Sequence, residues 1–538
     1  MIRRLERGAA LAALGVLAVL HVSFLLHAGA LWRDEVNSVN LASLPLGEFW
    51  ANLQFDSFPV VWFGVLRAWI AVGAGSTDLA LRVLGLLLGL SVLGLLWWNA
   101  RRLGATVPLF SFAFLGFNAA VISYGDSVRA NGLGMLTGLL AFGLIWEVVE
   151  RPDLRRVLAA AAAALLSVHC VFYNALFLLA ACAGGAAVAL RRRAWKTIAL
   201  LFVIGLPAAL SLLLYRVTIR NENVWNAILK LPIDLAWIWT KFLDATETTG
   251  ALAPWLWVAF VLASAGIVVA VLVRRGDPPS EKQRDAVLFC GVALVLGTAA
   301  YLAFLLELSY VMQPWYFLTL MALVATCLDG ILLVPPCAER VRILRLGAAV
   351  AVLALALPGA WGSVRVRKTN MDLVAATLAA SAARGDLIVV TPWQYGITFD
   401  RYYRGAAEWT TVPPVASHKV HRYDLLKQAM MSPDAMRPVL ERIESALRSG
   451  HRVFWIGGLS VPAAGQGAPV LPPAPQGPWG WRETPHYQGW GMQAGYLFRK
   501  HALRARAVPV PVGQPVSFYE NLQVSVIEGW RDPTVAAR

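Results

Sequence analysis

Three short polar clusters in an otherwise apolar chain carry side chains able to move a proton or hold an anion. Trp32-Arg33-Asp34-Glu35 sets two adjacent carboxylates beside a guanidinium. Asp56-Ser57-Phe58-Pro59 adds a third carboxylate, and Tyr124-Gly125-Asp126-Ser127-Val128-Arg129 a fourth with its own arginine. A carboxylate within hydrogen-bond reach of a hydroxyl can act as a general base. A guanidinium presents a planar fork that suits phosphate oxygens. Each cluster also has a plainer reading: Asp34 could cap a helix, Asp56 could close a turn, and His169 could simply pack inside its helix. Asp126 and Arg129 are more constrained. A charge facing lipid at the bilayer centre costs roughly 2.5–3.5 kcal/mol, so these two must face water or one another.

The elements that position these residues follow from composition. Of 538 residues, 58% are hydrophobic and 15% charged, against about a quarter charged in soluble proteins. The apolar residues come in runs of roughly 18 to 22, the length that crosses about 30 Å of hydrocarbon. The net charge of +15 resides in arginine clusters at the ends of those runs, where it orients a membrane protein rather than binding nucleic acid. The five cysteines, Cys170, Cys182, Cys290, Cys327 and Cys337, lie in or beside the runs without metal-ligand spacing, and no disulfide framework is indicated. Residues 1–30 resemble a signal peptide, but the run is long and more follow, so it reads as an uncleaved first span.

The runs fall near 8–27, 79–99, 106–124, 132–149, 156–172, 173–190, 196–215, 252–273, 286–306, 314–334 and 344–362. With the N-terminus inside, alternation puts Arg101-Arg102, Arg151/Arg155/Arg156, Arg191-Arg192-Arg193, Arg274-Arg275 and Arg340/Arg342/Arg345 all on the cytoplasmic side. This holds only if residues 58–74, which carry Arg67 and follow a proline, do not span; they read as an amphipathic helix at the outer interface. The expectation is about eleven spans, with the C-terminus outside the cytoplasm. Residues 216–250, with Trp225, Trp237 and Trp239, suit a second interfacial helix.

Residues 1–362 therefore form a membrane domain, and 363–538 an extracytoplasmic (periplasmic) α/β domain. Asp386–Val390 and Val453–Ile456 read as strands, each preceded by a helix, the second helix over 434–448. Helix then strand, twice, points to a parallel core. Residues 458–481, rich in Pro and Gly, read as a loop, and Val524–Ile527 as an edge strand. No internal repeat is visible, and polar features gather in the first quarter, which counts against a carrier built from paired halves.

The order of these clusters resembles the GT-C glycosyltransferases, in particular the branch holding protein O-mannosyltransferases and the aminoarabinose transferase of lipid A. Family members place an Asp-Glu pair just after the first span, as Trp32-Arg33-Asp34-Glu35 does. Their next element, Asp-x-His-Pro-Pro-Leu-Tyr-Tyr-like, is similar to Asp56-Ser57-Phe58-Pro59-Val60-Val61-Trp62, with Leu66-Arg67-Ala68-Trp69 downstream. A Gln-Glu-Ala-Arg-x-Tyr-like turn corresponds to Gly125–Asn131, with Asp for Glu and the Arg retained. The resemblance covers about residues 1–200. A late Arg-Tyr landmark is only echoed by Gln313-Pro314-Trp315-Tyr316. The departures are Phe58 for His, Asn131 for Tyr, and Gln313 or Trp315 for Arg.

What the resemblance implies is a polytopic α-helical membrane enzyme of the bacterial inner membrane. It would move a sugar, with inversion, from a polyprenyl-phosphate donor to an extracytoplasmic glycan, lipid or protein hydroxyl. Asp34 would be the base, with Glu35 orienting the loop or the acceptor. Arg129, Asp126 and Tyr316 would hold the donor phosphate, and Arg33, Asp56 and His169 would line the site. A divalent cation, Mg²⁺ or Mn²⁺, if used, would bind Asp34 and Asp126. Asp34, Asp126 and Arg129 are expected to converge at the outer headgroup level. The alternative is a non-catalytic or transport component of cell-envelope glycan assembly.

Overall fold

In hydrocarbon the backbone must satisfy its own hydrogen bonds, which forces apolar runs into helices. The computed structural model describes residues 1–532 apart from 247–248, 274–279, 335–338 and 472–473. The Arg274-Arg275 cluster and Cys337 lie outside the described residues. Among those described, 9 helices are long and apolar enough to cross a membrane. The chain is a multi-pass membrane protein. The elements that matter below are α1 (Ile2–His27), α2 (Arg33–Ser43), α3 (Asp78–Leu103) and α4 (Ala130–Glu150).

Two expected spans take a different form. The run at 156–172 is a 17-residue helix, Leu154–Cys170, at the short limit for crossing. The run at 106–124 is broken into Leu109–Ser111, a wider turn Phe112–Gly116, and Ala119–Gly125. Asn118 stops it: its side chain accepts from the Val121 N–H and donates to the Ala245 carbonyl. Thr249 accepts from the Ala119 N–H, and the Asp329 carboxylate from the Phe110 N–H. Polar side chains from later in the chain thus satisfy backbone groups that a continuous helix would satisfy itself. Residues 60–74 form a 10-residue helix and a 5-residue wide turn broken at Gly73, where φ is +90°, a conformation glycine adopts freely.

The chain divides into two compact units. The first comprises Met1–His27, Phe58–Arg216 and Pro232–Arg365, and holds the spanning helices. Close packing there rests on α3 glycines: a Cβ at Gly85 would meet the Asp126 carbonyl oxygen. At one end of the bundle buried Asp285 pairs with Arg191 and Arg192, 2.7 and 2.6 Å away.

The second unit comprises Ala28–Ser57, Val217–Leu231 and Val366–Arg538. Its boundaries are not the single cut after residue 362 that hydropathy suggests, because two earlier segments pack with the C-terminal one. Its sheet has the order β2-β1-β3-β5-β4, with β1 (Leu387–Val390), β2 (Glu408–Thr411), β3 (Val453–Ile456), β4 (Ala502–Val508) and β5 (Val524–Trp530). β1 pairs in parallel with β2 and β3, and β5 runs antiparallel to β3 and β4. β1 and β3 are apolar throughout because both faces are covered. Leu387, Val389, Val453 and Trp455 meet Val439, Ile443 and Leu447 of the helix Arg437–Arg448 on one side. Ile388, Val390 and Phe454 meet Val374 and Leu378 on the other. One expectation is corrected here: β5, read as an edge strand, lies inside the sheet. β4, which continues directly from the helix Glu483–His501, takes the edge.

Candidate functional site

Of the residues singled out from sequence, Arg33, Asp34, Glu35 and Asp56 belong to the second unit, and Asp126, Arg129, His169 and Tyr316 to the first. In the second unit α2 starts immediately after α1 and a short turn. Glu35 makes that start: its carboxylate accepts from the Trp32 N–H at 3.2 Å, reaching back over the first turn as capping glutamates do. Glu35 is 0% exposed, so it shapes the loop from inside. Asp34 differs. Its side chain is 18% exposed and lies 3.5 Å from the Arg33 guanidinium. Of the adjacent pair, only Asp34 is open to a substrate.

Arg33 is held from several sides. Its backbone N–H donates to Glu520 at 2.9 Å, and its guanidinium lies over the rings of Trp32 and Tyr395, 5.6 and 5.5 Å from their centres. Burial works against its charge, but Asp34, Tyr395, Glu520 and Tyr423 outweigh that and raise its pKa. Burial conversely pushes the Glu520 carboxyl up to about 7, although Arg33 and hydrogen bonds from Arg33, Thr398 and Thr369 oppose the rise. Asp56 is buried and accepts from Asn37 Nδ2 at 2.8 Å. Asn37 stands one turn along α2 from Asp34, on the same face, and its Oδ1 accepts from the backbone N–H of His421 at 2.9 Å. His421 in turn places Nε2 3.5 Å from Asp34 Oδ1.

In the first unit Asp126 turns onto a partner that the sequence reading did not consider. His21 of α1 lies 2.6 Å from its carboxylate, and both side chains are buried. Gly89 of α3 makes the space: a Cβ there would collide with Asp126 Oδ1 and stand 2.6 Å from His21 Nδ1. Arg129 precedes α4, and its guanidinium sits 4.6 Å over the Phe58 ring. Phe58 is therefore a platform for Arg129. Tyr173 links Arg129 to Tyr316, lying within electrostatic reach of the guanidinium and stacked 6.3 Å from the Tyr316 ring. Tyr316 itself joins an aromatic group with Tyr173 and Tyr310. His169 uses both ring nitrogens, on Tyr215 at 2.7 Å and Ser211 at 2.9 Å, and so ties its helix to the end of the helix Trp195–Ser211 and the turn after it. It packs rather than offering a free ligand.

Among the described residues no three His, Cys, Asp or Glu side chains group as a metal cage. Asp34 is engaged by Arg33 and His421, and Asp126 by His21.

Sequence reasoning missed His21, His421 and Glu520. His21 carried a signal, since an ionisable residue inside an apolar run needs a partner. The other two stand far along the chain from what they touch.

No family model and no curated protein matches this sequence. Among solved structures, the chain is similar to ArnT from Cupriavidus metallidurans bound to undecaprenyl phosphate. The identity is 14% and the TM-score 0.45, over 84% of this chain and 93% of that one. It is also similar to the oligosaccharyltransferase AglB from Archaeoglobus fulgidus, in complex with an inhibitory peptide and a dolichol-phosphate. There the identity is 11% and the TM-score 0.48, over 96% and 75% of the two chains.

Proposed function

We propose that the chain is a membrane glycosyltransferase that moves a sugar from a polyprenyl-phosphate donor to an extracytoplasmic hydroxyl, with inversion at the anomeric carbon. The observation that carries this reading is Asp34, a partly open carboxylate at the start of α2, set beside an equally part-buried arginine directly after the first apolar helix. It stands where the motif order places a base.

In the proposed reaction Asp34 takes the proton of the acceptor hydroxyl as that oxygen attacks the anomeric carbon. The bond from that carbon to the phosphate oxygen breaks, and its electron pair leaves with the polyprenyl phosphate. The leaving group is already a stable anion, so what it needs is positive charge rather than a proton. Arg129 supplies the charge, stacked on Phe58 and set ahead of an α4 N-terminus whose dipole also favours an anion. Asp126, bound to His21, fixes the turn that presents Arg129, and Glu35 fixes the loop that presents Asp34.

The test is Asp34→Asn in purified protein, assayed with a panel of radiolabelled undecaprenyl-phosphate sugars. Transfer should fall by roughly 10²–10⁴-fold, the usual contribution of a general base, while thermal unfolding stays as in the wild type. Undiminished transfer would remove Asp34 from the chemistry.

A further inference from the structure

His421 lies 384 residues beyond Asn37 in sequence, yet the two are hydrogen-bonded. That bond matters because Asn37 shares a helix face with Asp34. Anchoring the His421 backbone to Asn37 fixes where its ring falls, and the ring falls at Asp34, with Nε2 3.5 Å from Oδ1. The same Asn37 holds Asp56 through its other amide atom, so one side chain sets the spacing of carboxylate, imidazole and carboxylate. His421 is 5% exposed. Trp393 stands 6.2 Å away, nearly perpendicular, and Tyr423 5.8 Å away. Neither ring nitrogen has a hydrogen-bond partner within 3.5 Å and good geometry among the described residues.

Packing alone would be served better by an apolar ring, because a buried imidazole forfeits its hydrogen bonds to water. What distinguishes histidine here is a nitrogen aimed at Asp34. The Arg33 guanidinium also faces that carboxylate, and Tyr423 and Glu483 belong to the same group of charges around Arg33. Arg33, however, is also engaged by Tyr395 and by the field of Glu520. His421 has only Asp34 as an ionic partner among the described residues.

We infer that His421 is a positioning residue for Asp34. This rests on the reading of Asp34 as the base. With Nε2 protonated, the imidazole donates to Oδ1 and turns the carboxylate so that Oδ2 faces the acceptor. The hydroxyl proton passes to Oδ2 as the oxygen–carbon bond forms and the carbon–phosphate oxygen bond breaks. His421 keeps its own proton throughout, so it sets the direction of transfer without being consumed. The short contact needed for donation is reached when the substrate closes the remaining gap, as catalytic hydrogen bonds tighten on binding.

The experiment uses the full chain in nanodiscs, with two readouts. The first needs no donor: the ¹⁵N signal of the His421 imidazole, assigned by its loss in His421→Gln, is compared between wild type and Asp34→Asn. The signal should shift when the carboxylate becomes an amide. An unaltered signal overturns the inference. The second is transfer from whichever of the undecaprenyl-phosphate-linked mannose, glucose, galactose and arabinose the wild type turns over. His421→Phe should lower kcat by roughly 10–100-fold with the donor KM within about twofold, the pattern of an interaction made in the transition state. His421→Gln, which keeps a donor, should restore most of the loss. Asp34→Asn with His421→Phe should be no slower than Asp34→Asn alone, since residues acting through one another are not additive. Full kcat in His421→Phe beside an inactive Asp34→Asn overturns the positioning role and leaves the base in place. Full activity in Asp34→Asn overturns the underlying reading instead.

Discussion

The His21 imidazole and the Asp126 carboxylate meet at 2.6 Å, both almost wholly withdrawn from solvent. The contact joins the first helix to the turn before α4. An acid and a histidine among apolar helices are each costly alone, and together they discharge one another's unmet bonding.

That pair depends on an absent side chain. Gly89→Ala would drive a methyl group against both partners, and overpacking of this kind costs about 1–3 kcal/mol. On the same helix, a Cβ added at Gly94 would meet nothing within 4 Å, so Gly94→Ala should be neutral or mildly stabilising. Thermal unfolding in one detergent compares the two. Equal midpoints would mean that α3 can move away from Asp126 at no cost.

Stability should depend on pH through Glu520. Its carboxyl is raised from the ordinary 4.5 to about 7. Below about 4.5 the folded and unfolded states both hold the proton, and the residue contributes no slope. Between there and about 7 only the unfolded state releases it, so stability falls as pH rises, by at most about 1.4 kcal/mol per pH unit. Glu520→Gln should flatten this part of the profile. The unfolding midpoint measured from pH 5 to 8 checks it, and an unchanged slope in the variant would assign the effect elsewhere.

Arg129→Lys keeps the charge but loses the planar fork and the flat stack on Phe58. If Arg129 carries the leaving phosphate, kcat/KM for the donor should drop by about 10–100-fold, more than a distant surface Arg→Lys change would produce. Steady-state transfer against donor concentration measures this, and a variant as fast as wild type would exclude the guanidinium from that task.

Much of this was legible in the residues themselves. The membrane class follows from run length, and the two parallel strands follow from continuous apolar stretches preceded by helices. The Asp34-Glu35 pair announced itself by position. What the sequence could not display were contacts closed across hundreds of residues. Glu520 reads as an ordinary acid in a loop, and His421 as one of several polar residues in an irregular stretch; neither has a periodicity that reveals its partner. The broken helix at 109–125 was hidden for a related reason. Its composition is that of a span, and only Asn118, Thr249 and Asp329 acting together make the interruption tolerable. The strand β4 escaped because its alternation is weak, as expected for an edge exposed along most of its length.

The Arg33–Glu520 bond has a consequence for how the protein is made. A ribosome delivers Asp34 hundreds of residues before His421 and Glu520. Until then the helix bearing the acid lacks its clamp, and a nascent or prematurely stopped chain carries the carboxylate without the means to aim it. If Asp34 acts as the base proposed above, activity would thus wait until those later residues have emerged.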